Sequence, residues 1–207
     1  MNISYAIPVK DELDEIMGLV DWLLEHKRPQ DDIIILFDSK NGSEGVEAFL
    51  RAKSINQEFL WVAREFNNNF ADHKNYLNRL CKGDYIFQID ADEVPSLELL
   101  SNLPTILEQN SNVDLFWVPR VNKVEGITPQ HINKWGWQQN EKGWINWPDF
   151  QSRIYRNNPE IKWANRVHER IEGYKEYVIL PTDPDYALFH VKKIDRQEKQ
   201  NKLYETL

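Results

Sequence analysis

The sequence predicts an α/β fold: a mostly parallel sheet sandwiched by helices, followed by an irregular region rich in tryptophan. Two observations predict it. In the first half of the chain, short apolar segments alternate with amphipathic segments of helical period, which is the pattern of βαβ units. Polar or acidic residues also follow three of the predicted strands, at the edge where open parallel sheets bind ligands. At 207 residues the chain is expected to form one domain.

The predicted elements follow in order. A strand over 3–9 precedes a helix whose apolar residues recur at helical spacing and which ends before Pro29. A strand over 32–37, a helix over 44–52 and a strand over 58–62 continue the series. A helix over about 72–81, ended by Gly83, leads to a strand over 84–89.

The second half is less regular. A helix opened by Ser96 and a strand over 114–120 are predicted first. Beyond the irregular region, strands are expected over 150–155 and 186–191, followed by a charged helix from about 195.

Composition excludes several classes of partner. The chain has 25 basic and 33 acidic residues, a net charge of -8 and no basic stripe interleaved with aromatics, so nucleic acid is not expected as a partner. The single cysteine, Cys81, excludes an intrachain disulfide and favours a reducing compartment, the cytoplasm. The longest apolar run, 33–37, is too short to span a membrane. An acidic protein that binds an anionic ligand would need a metal.

Acidic residues follow three strands of the predicted sheet. Asp11 and Glu12 follow the first strand, Asp38 the second, and the sequence Asp-Ala-Asp-Glu at 90–93 the fourth. Each acid alone is explained as an N-cap or a solvated turn. Three on one edge instead predict a crevice where carboxylates hold a divalent cation, which in turn holds a pyrophosphate such as that of a sugar nucleotide.

Residues 121–150 contain four of the eight tryptophans. Long irregular stretches in compact domains are often lids or binding loops. Tryptophan faces stack on sugar rings, so the region is either an acceptor-binding lid or a small satellite core.

Several motifs taken together resemble those of glycosyltransferase family 2, with its GT-A fold. They are Ile-Pro-Val at 7–9 followed by Asp11 and Glu12, the segment 70–75, the strand with its acids at 83–93, and later 153–156, 167–169 and His190. The resemblance covers nearly the whole chain, and the pattern is most similar to that of small lipopolysaccharide-core glucosyltransferases. It implies a nucleotide-sugar-binding half over 1–120 and an acceptor and metal-completing half over 121–207.

The resemblance also implies roles on the donor side. Asp38 would bind uracil, with Pro8 and Asp11 or Glu12 near the nucleoside, and Asp90 and Ala91 near the ribose. Asp92 and His190 would ligate Mn²⁺ or Mg²⁺, and a nitrogen ligand favours Mn²⁺. Two points stay open. His190 is otherwise a satisfied histidine at a strand end, and Ser39 and Lys40 after Asp38 depart from the family pattern, so guanine or thymine donors remain alternatives.

For chemistry, the resemblance implies a metal-dependent transfer, with inversion, from a donor such as UDP-glucose to a saccharide or glycolipid acceptor. Glu169 is the expected general base, with Asp149 in reserve. Lys74, Lys192 and Arg196 are expected at phosphate, or else are solvated. Further substrate contacts are expected from Trp137, Arg153 and His168.

Three competing functions share parts of this pattern. A haloacid-dehalogenase-type phosphatase also has an Asp-x-Asp-x-Val motif, matched by 90–94, but places it on its first strand. A nucleotidyltransferase would need a glycine-rich N-terminal loop, and 8–11 contains no glycine. The third is a domain that binds nucleotide or glycan without turnover.

Overall fold

The computed structural model describes residues 1–204. Its strands are Ile3–Val9 (β1), Asp32–Asp38 (β2), Leu60–Arg64 (β3), Tyr85–Gln88 (β4), Glu93–Pro95 (β5), Leu115–Glu125 (β6), Ile145–Arg156 (β7), Lys162–Ala164 (β8), Arg170–Glu172 (β9), Tyr177–Ile179 (β10) and Leu188–Lys193 (β11). Its helices are Leu13–His26 (α1), Glu44–Lys53 (α2), Phe70–Leu80 (α3), Leu97–Gln109 (α4), Pro129–Trp135 (α5) and Ile194–Tyr204 (α6).

One nine-stranded sheet organises the fold, in the order β3-β2-β1-β4-β7-β6-β11-β5, with β10 beside β6. The first four strands are parallel to one another, and β7 is antiparallel to both β4 and β6. Because β11 is parallel to β6, the carboxyl ends of β1, β2, β4, β6 and β11 all reach the same edge. The predicted α/β fold with a mostly parallel sheet is therefore confirmed.

Both faces of the sheet are covered, as the apolar strand sequences require. Alternate side chains of β2 enter opposite cores: Ile33 and Ile35 pack on the side of α1 and α4, and Ile34 and Leu36 on the side of α3. Four helices begin at side-chain caps that satisfy their first amides, namely Ser43, Asn69, Ser96 and Thr128.

The role predicted for Gly83 is wrong. The helix predicted over about 72–81 spans Phe70–Leu80, with Cys81 as its C-cap. Gly83 instead lies against β1, where an added Cβ would come within 2.6 Å of the Ser4 amide nitrogen, so the close approach of two backbones requires glycine there.

The region over 121–150 is more regular than predicted. β6 continues to Glu125, α5 follows, and β7 already begins at Ile145. Gly126 and Gly136 have positive φ, and Gly136 is the C-cap of α5. Gly126 and Gly136 therefore mark the ends of β6 and α5. Across the residues that the structure describes, no helix is long and apolar enough to cross a bilayer.

Candidate active site

The carboxyl edge of the sheet gathers eight of the sixteen predicted site residues into three neighbouring groups. Asp92, in the turn between β4 and β5, lies beside His190 of β11, with Lys192 and Arg196 next to them. Asp90 lies in a second group with Arg153. The third group is the ion pair between Lys74 and Glu169.

Asp92 and His190 form the first group. The antiparallel pairing of β5 with β11 places His190 opposite Glu93, so that Nε2 of His190 lies 3.3 Å from Oδ2 of Asp92. Both side chains are largely buried, at 10% and 12% exposed. Burial alone would raise the pKa of Asp92, but the hydrogen bond and charge of His190 and the charge of Lys192 hold it well below its usual range. Asp92 is therefore an ionised, oriented carboxylate.

This pair fits a divalent cation as two of its ligands. In an octahedral site with bonds of roughly 2.1 Å, neighbouring ligand atoms lie about 3.0 Å apart, close to the observed separation of 3.3 Å. The described part of the chain contains no group of three or more His, Cys, Asp or Glu side chains arranged to hold a metal. Such a cation would therefore need further oxygens, which a bound diphosphate and water supply.

Two cationic side chains face the same carboxylate oxygen. Nζ of Lys192 is 3.5 Å from Oδ2 of Asp92, and Nη2 of Arg196 is 4.0 Å from it. Arg196 is also paired with Glu12 at 2.6 Å and with Glu15 at 2.8 Å, which ties α6 to the start of α1. This edge therefore offers positive charge to an anion.

Glu12 and Asp11 have different environments. One oxygen of Glu12 accepts hydrogen bonds from the amides of Lys10 and Asp11, and the other pairs with Arg196. Asp11 is exposed, with its carboxylate 3.8 Å from Nζ of Lys10. The carboxylate of Glu12 thus holds the loop after β1 together, and its contact with a nucleoside stays a prediction.

Asp90 is held from two sides. Oδ2 accepts a hydrogen bond from Nη2 of Arg153 at 2.6 Å, and Oδ1 accepts one from Nε2 of Gln88 at 2.8 Å. Burial would raise the pKa of Asp90, but the positive charges of Arg153 and Lys74 keep it far below its usual range. Ala91, the next residue, is buried. Asp90 is ionised and its position is fixed.

Arg153 has a different environment from the one predicted. It is only 3% exposed, and its guanidinium is enclosed by Asp90, Glu93 and Gln88. It therefore fixes Asp90 in place, and contact with a substrate stays a prediction. The sequence reasoning missed Glu93, which is fully buried and also pairs with Arg120 at 2.8 Å. Its position directly after the two aspartates was the available signal.

Glu169 and Lys74 form the third group. Nζ of Lys74 lies 2.6 Å from Oε1 of Glu169 and 4.3 Å from the centre of the Trp163 ring. The charge of Lys74 also lowers the pKa of Asp90, so Lys74 acts on both carboxylates. His168, beside Glu169, is exposed and has a positive φ of 52°. The predicted phosphate ligand Lys74 is thus engaged with the predicted base.

Asp149 is enclosed by hydrogen-bond donors. Its Oδ2 accepts from Nε and Nη2 of Arg120 at 2.9 and 2.6 Å and from Nδ2 of Asn122 at 2.8 Å, and its Oδ1 accepts from Gln151 at 2.7 Å. Burial would raise its pKa, but the charge of Arg120 and these hydrogen bonds lower it below its usual value. A carboxylate held in this way is a poor proton acceptor.

Asp38 organises the loops after β2 and β3. Its Oδ1 accepts hydrogen bonds from the amides of Lys40, Asn41 and Phe66 at 3.0, 3.2 and 3.1 Å. Its Oδ2 accepts one from the Asn41 side chain at 2.8 Å. Because Asp38 is buried and its Oδ1 already accepts three amides, a nucleobase would have to contact it through Oδ2. The uracil contact stays a prediction.

The tryptophans of 121–150 pack on one another in pairs. The rings of Trp135 and Trp137 lie 4.7 Å apart, and those of Trp144 and Trp147 lie 5.1 Å apart. All four remain partly exposed. The pairs therefore have the mutual packing of a satellite core and also leave surface for a ligand, and a substrate contact of Trp137 stays a prediction.

A buried histidine at this edge gives the fold a testable pH dependence. Burial, with the charge of Arg64, lowers the pKa of His73 from 6.5 to about 4, and its Nδ1 has no hydrogen-bond partner among the described residues. The unfolded chain binds a proton on His73 more tightly than the folded chain does. The stabilisation that depends on neutral His73 is therefore fully present above pH 6.5 and is lost as the pH drops toward 4. We expect His73 to account for up to about 3 kcal/mol of this loss. Urea unfolding across this range should show a shallower pH dependence for His73→Leu; parallel curves would contradict the assignment.

Comparison with known proteins agrees with this architecture. The family model described as Glycosyl transferase family 2 matches residues 4–195. A search of curated proteins found no match. Among solved structures, S. aureus TarS residues 1–349 has a TM-score of 0.64 at 15% identity, with 92% of this chain and 60% of that chain covered.

Two further structures are similar. TarS residues 1–349 in complex with UDP-GlcNAc has a TM-score of 0.63 at 14% identity, covering 93% of this chain and 59% of that one. The mannosyltransferase PcManGT from Pyrobaculum calidifontis, in complex with GDP-Man and Mn²⁺, has a TM-score of 0.56 at 13% identity, covering 91% and 56%. At these identities the likeness shows the GT-A fold alone. The chain spans about 60% of the length of these proteins.

Proposed function

The chain belongs to glycosyl transferase family 2, and on that premise we propose that it transfers a sugar from a nucleoside diphosphate donor to an acceptor hydroxyl. We further propose that the donor is a UDP-sugar, that the reaction needs Mn²⁺ or Mg²⁺, and that it inverts the anomeric configuration. The observation that carries the proposal is the Asp92 and His190 pair, flanked by cations, at the edge of the sheet that also holds Asp90 and Glu169.

On the donor side, the first group of residues would hold the diphosphate. Asp92 and His190 would bind the divalent cation, which would neutralise the charge of the departing nucleoside diphosphate. Lys192 and Arg196 lie beside Asp92 and would add charge-assisted hydrogen bonds to phosphate oxygens. Asp90, oriented by Arg153, would accept a hydrogen bond from the ribose.

On the acceptor side, two observations support Glu169 as the general base in preference to Asp149. Glu169 is 17% exposed and has one cationic partner, Lys74, whereas both oxygens of Asp149 already accept hydrogen bonds. A base must be able to reach the hydroxyl proton and accept it. Attack from the face opposite the leaving diphosphate produces inversion.

The motif pattern supports a finer proposal for the substrates. Its resemblance to small lipopolysaccharide-core glucosyltransferases favours UDP-glucose as donor and a saccharide or glycolipid as acceptor. The partly exposed aromatic surface around Trp137 suits stacking on sugar rings.

A panel of nucleotide sugars tests this function. Each donor is incubated with the protein and Mn²⁺, or with a chelator, and release of nucleoside diphosphate is measured. We expect release from one UDP-sugar, dependent on metal. Binding without release from any donor, with or without saccharide acceptors, would favour a non-catalytic binding domain. Release of inorganic phosphate from phosphomonoesters would favour the phosphatase alternative, which the hydrogen bonds on both Asp90 oxygens oppose.

Metal and nucleotide are expected to bind as a unit. At a hundredfold excess over the dissociation constant, UDP with Mn²⁺ should stabilise the protein by about 2.7 kcal/mol, and UDP with a chelator by much less. Asp92→Asn should lose most of this stabilisation, because the amide removes a charged ligand. Asp21→Asn, on the outer surface of α1, should keep it. Thermal unfolding measures all four cases, and equal stabilisation in chelator would exclude the metal.

A further inference from the structure

A continuous chain of hydrogen bonds runs from Arg120 through Asp149 and Asn122 to Nδ1 of His190. Arg120 donates to Oδ2 of Asp149, which also accepts from Nδ2 of Asn122 at 2.8 Å. Oδ1 of Asn122 lies 2.8 Å from Nδ1 of His190, whose Nε2 is the atom that faces Asp92. The parallel register of β6 and β11 sets Asn122 directly opposite His190.

The direction of each hydrogen bond in this chain follows from the charge of Asp149. Asp149 is an ionised carboxylate and can only accept, so the amide group of Asn122 must point its NH₂ at Asp149. The carbonyl oxygen of Asn122 then necessarily points at His190. Since an amide oxygen cannot donate, Nδ1 of His190 must carry the hydrogen.

We propose that Asn122 is a positioning residue: it accepts a hydrogen bond from Nδ1 of His190 and thereby turns Nε2 toward Asp92. This inference rests on the proposed function, because Nε2 would bind the divalent cation of the donor site. A histidine that binds a metal through one nitrogen usually donates its other N–H to a fixed acceptor, which sets the ring orientation. Asn122 supplies that acceptor here.

The surroundings fix the orientation of Asn122. Oδ2 of Asp149 receives two donors from Arg120 besides Asn122, and Oδ1 receives Gln151. A flipped amide would bring the Asn122 oxygen against this carboxylate and lose the hydrogen bond to it. Asp149, proposed from the sequence as a reserve base, therefore acts in this inference through Asn122.

The test measures which ring nitrogens of His190 carry a hydrogen, and it needs no metal. Nitrogen NMR of metal-free protein at about pH 8, where an ordinary imidazole is neutral, distinguishes the protonated ring nitrogen from the bare one. The His190 signal is assigned by its loss in His190→Gln. We expect a hydrogen on Nδ1 in the wild type, whether or not Nε2 also carries one toward Asp92. In Asn122→Leu, Nδ1 should lose its hydrogen and Nε2 should keep one.

A matched control removes a different donor from the same carboxylate. Gln151→Leu deletes the hydrogen bond to Oδ1 of Asp149 but leaves Asn122 in place. Gln151→Leu should keep the hydrogen on Nδ1 of His190. With saturating UDP, the affinity for Mn²⁺, followed by electron paramagnetic resonance, should fall about 10–100-fold in Asn122→Leu and stay near the wild-type value in Gln151→Leu.

The outcomes separate this inference from the proposed function. A bare Nδ1 in the wild type would overturn the role of Asn122 even if Asn122→Leu fails to fold. Unchanged Mn²⁺ affinity in a folded Asn122→Leu would overturn it as well. The Nδ1–H form in a wild-type protein that binds no Mn²⁺ would support the orientation of His190 and contradict the metal dependence of the proposed function.

Discussion

Replacing Glu169 with glutamine is expected to lower sugar transfer by about 10²–10⁴-fold while UDP and Mn²⁺ still bind with nearly unchanged affinity. The amide keeps the size of the side chain but cannot take a proton from the acceptor hydroxyl. Glu169 reaches the site from the segment before β9, and the charge of its partner Lys74 also lowers the pKa of Asp90. The variant should therefore lose the chemical step and keep the donor site.

Two measurements check this expectation together: a transfer assay, and a titration of UDP in the presence of Mn²⁺. Glu172→Gln is the matched control, because this acid lies on β9 near Glu169 but pairs with Arg170 at the surface. It should transfer sugar at the wild-type rate. If Glu169→Gln loses nucleotide affinity along with activity, Glu169 belongs to the donor side and Asp149 becomes the better base.

Replacing Arg153 with methionine is expected to lower the free energy of unfolding by about 3–5 kcal/mol. Nη2 of Arg153 donates to Asp90 at 2.6 Å and to the fully buried Glu93 at 2.7 Å. The pKa of Arg153 is raised despite burial, because both carboxylates stabilise its charge. Without the guanidinium, the carboxylates of Asp90 and Glu93 would lie together in a buried site with less positive charge beside them.

The pH dependence of this loss identifies its cause. In the wild type, the pKa of Asp90 is depressed, so its stabilisation is present above the unfolded value of about 3.9 and is lost as the pH falls below it. The difference between wild type and Arg153→Met should therefore be largest near neutral pH and shrink in acid. Urea unfolding of both proteins at several pH values measures this difference.

The control for this experiment is an arginine in a surface ion pair. Arg51 is paired with Glu47 on the exposed face of α2, where such pairs contribute about 0–1 kcal/mol. Arg51→Met should therefore unfold nearly as the wild type does. A loss below about 1 kcal/mol for Arg153→Met as well would show that the buried cluster does not depend on this arginine.

The sequence by itself determined the features that depend on local patterns. The alternation of apolar strands with amphipathic helices predicted the α/β fold, because the periods of strands and helices are properties of short segments. The same local reading placed Asp90 and Asp92 after β4, at the edge where open sheets bind ligands. The family followed from motif order, and the match over residues 4–195 confirms it.

Only the tertiary structure decided which of these side chains meet. Asp92 faces His190 because β5 pairs with β11, and Arg153 reaches Asp90 because β7 inserts beside β4. The burial of Arg153 beside Asp90 could not be predicted, since residue type does not reveal burial. Lys74 and Glu169 likewise lie 95 residues apart in the chain. Contacts between distant segments depend on strand order and register, which the packing of the whole core sets and no local pattern encodes.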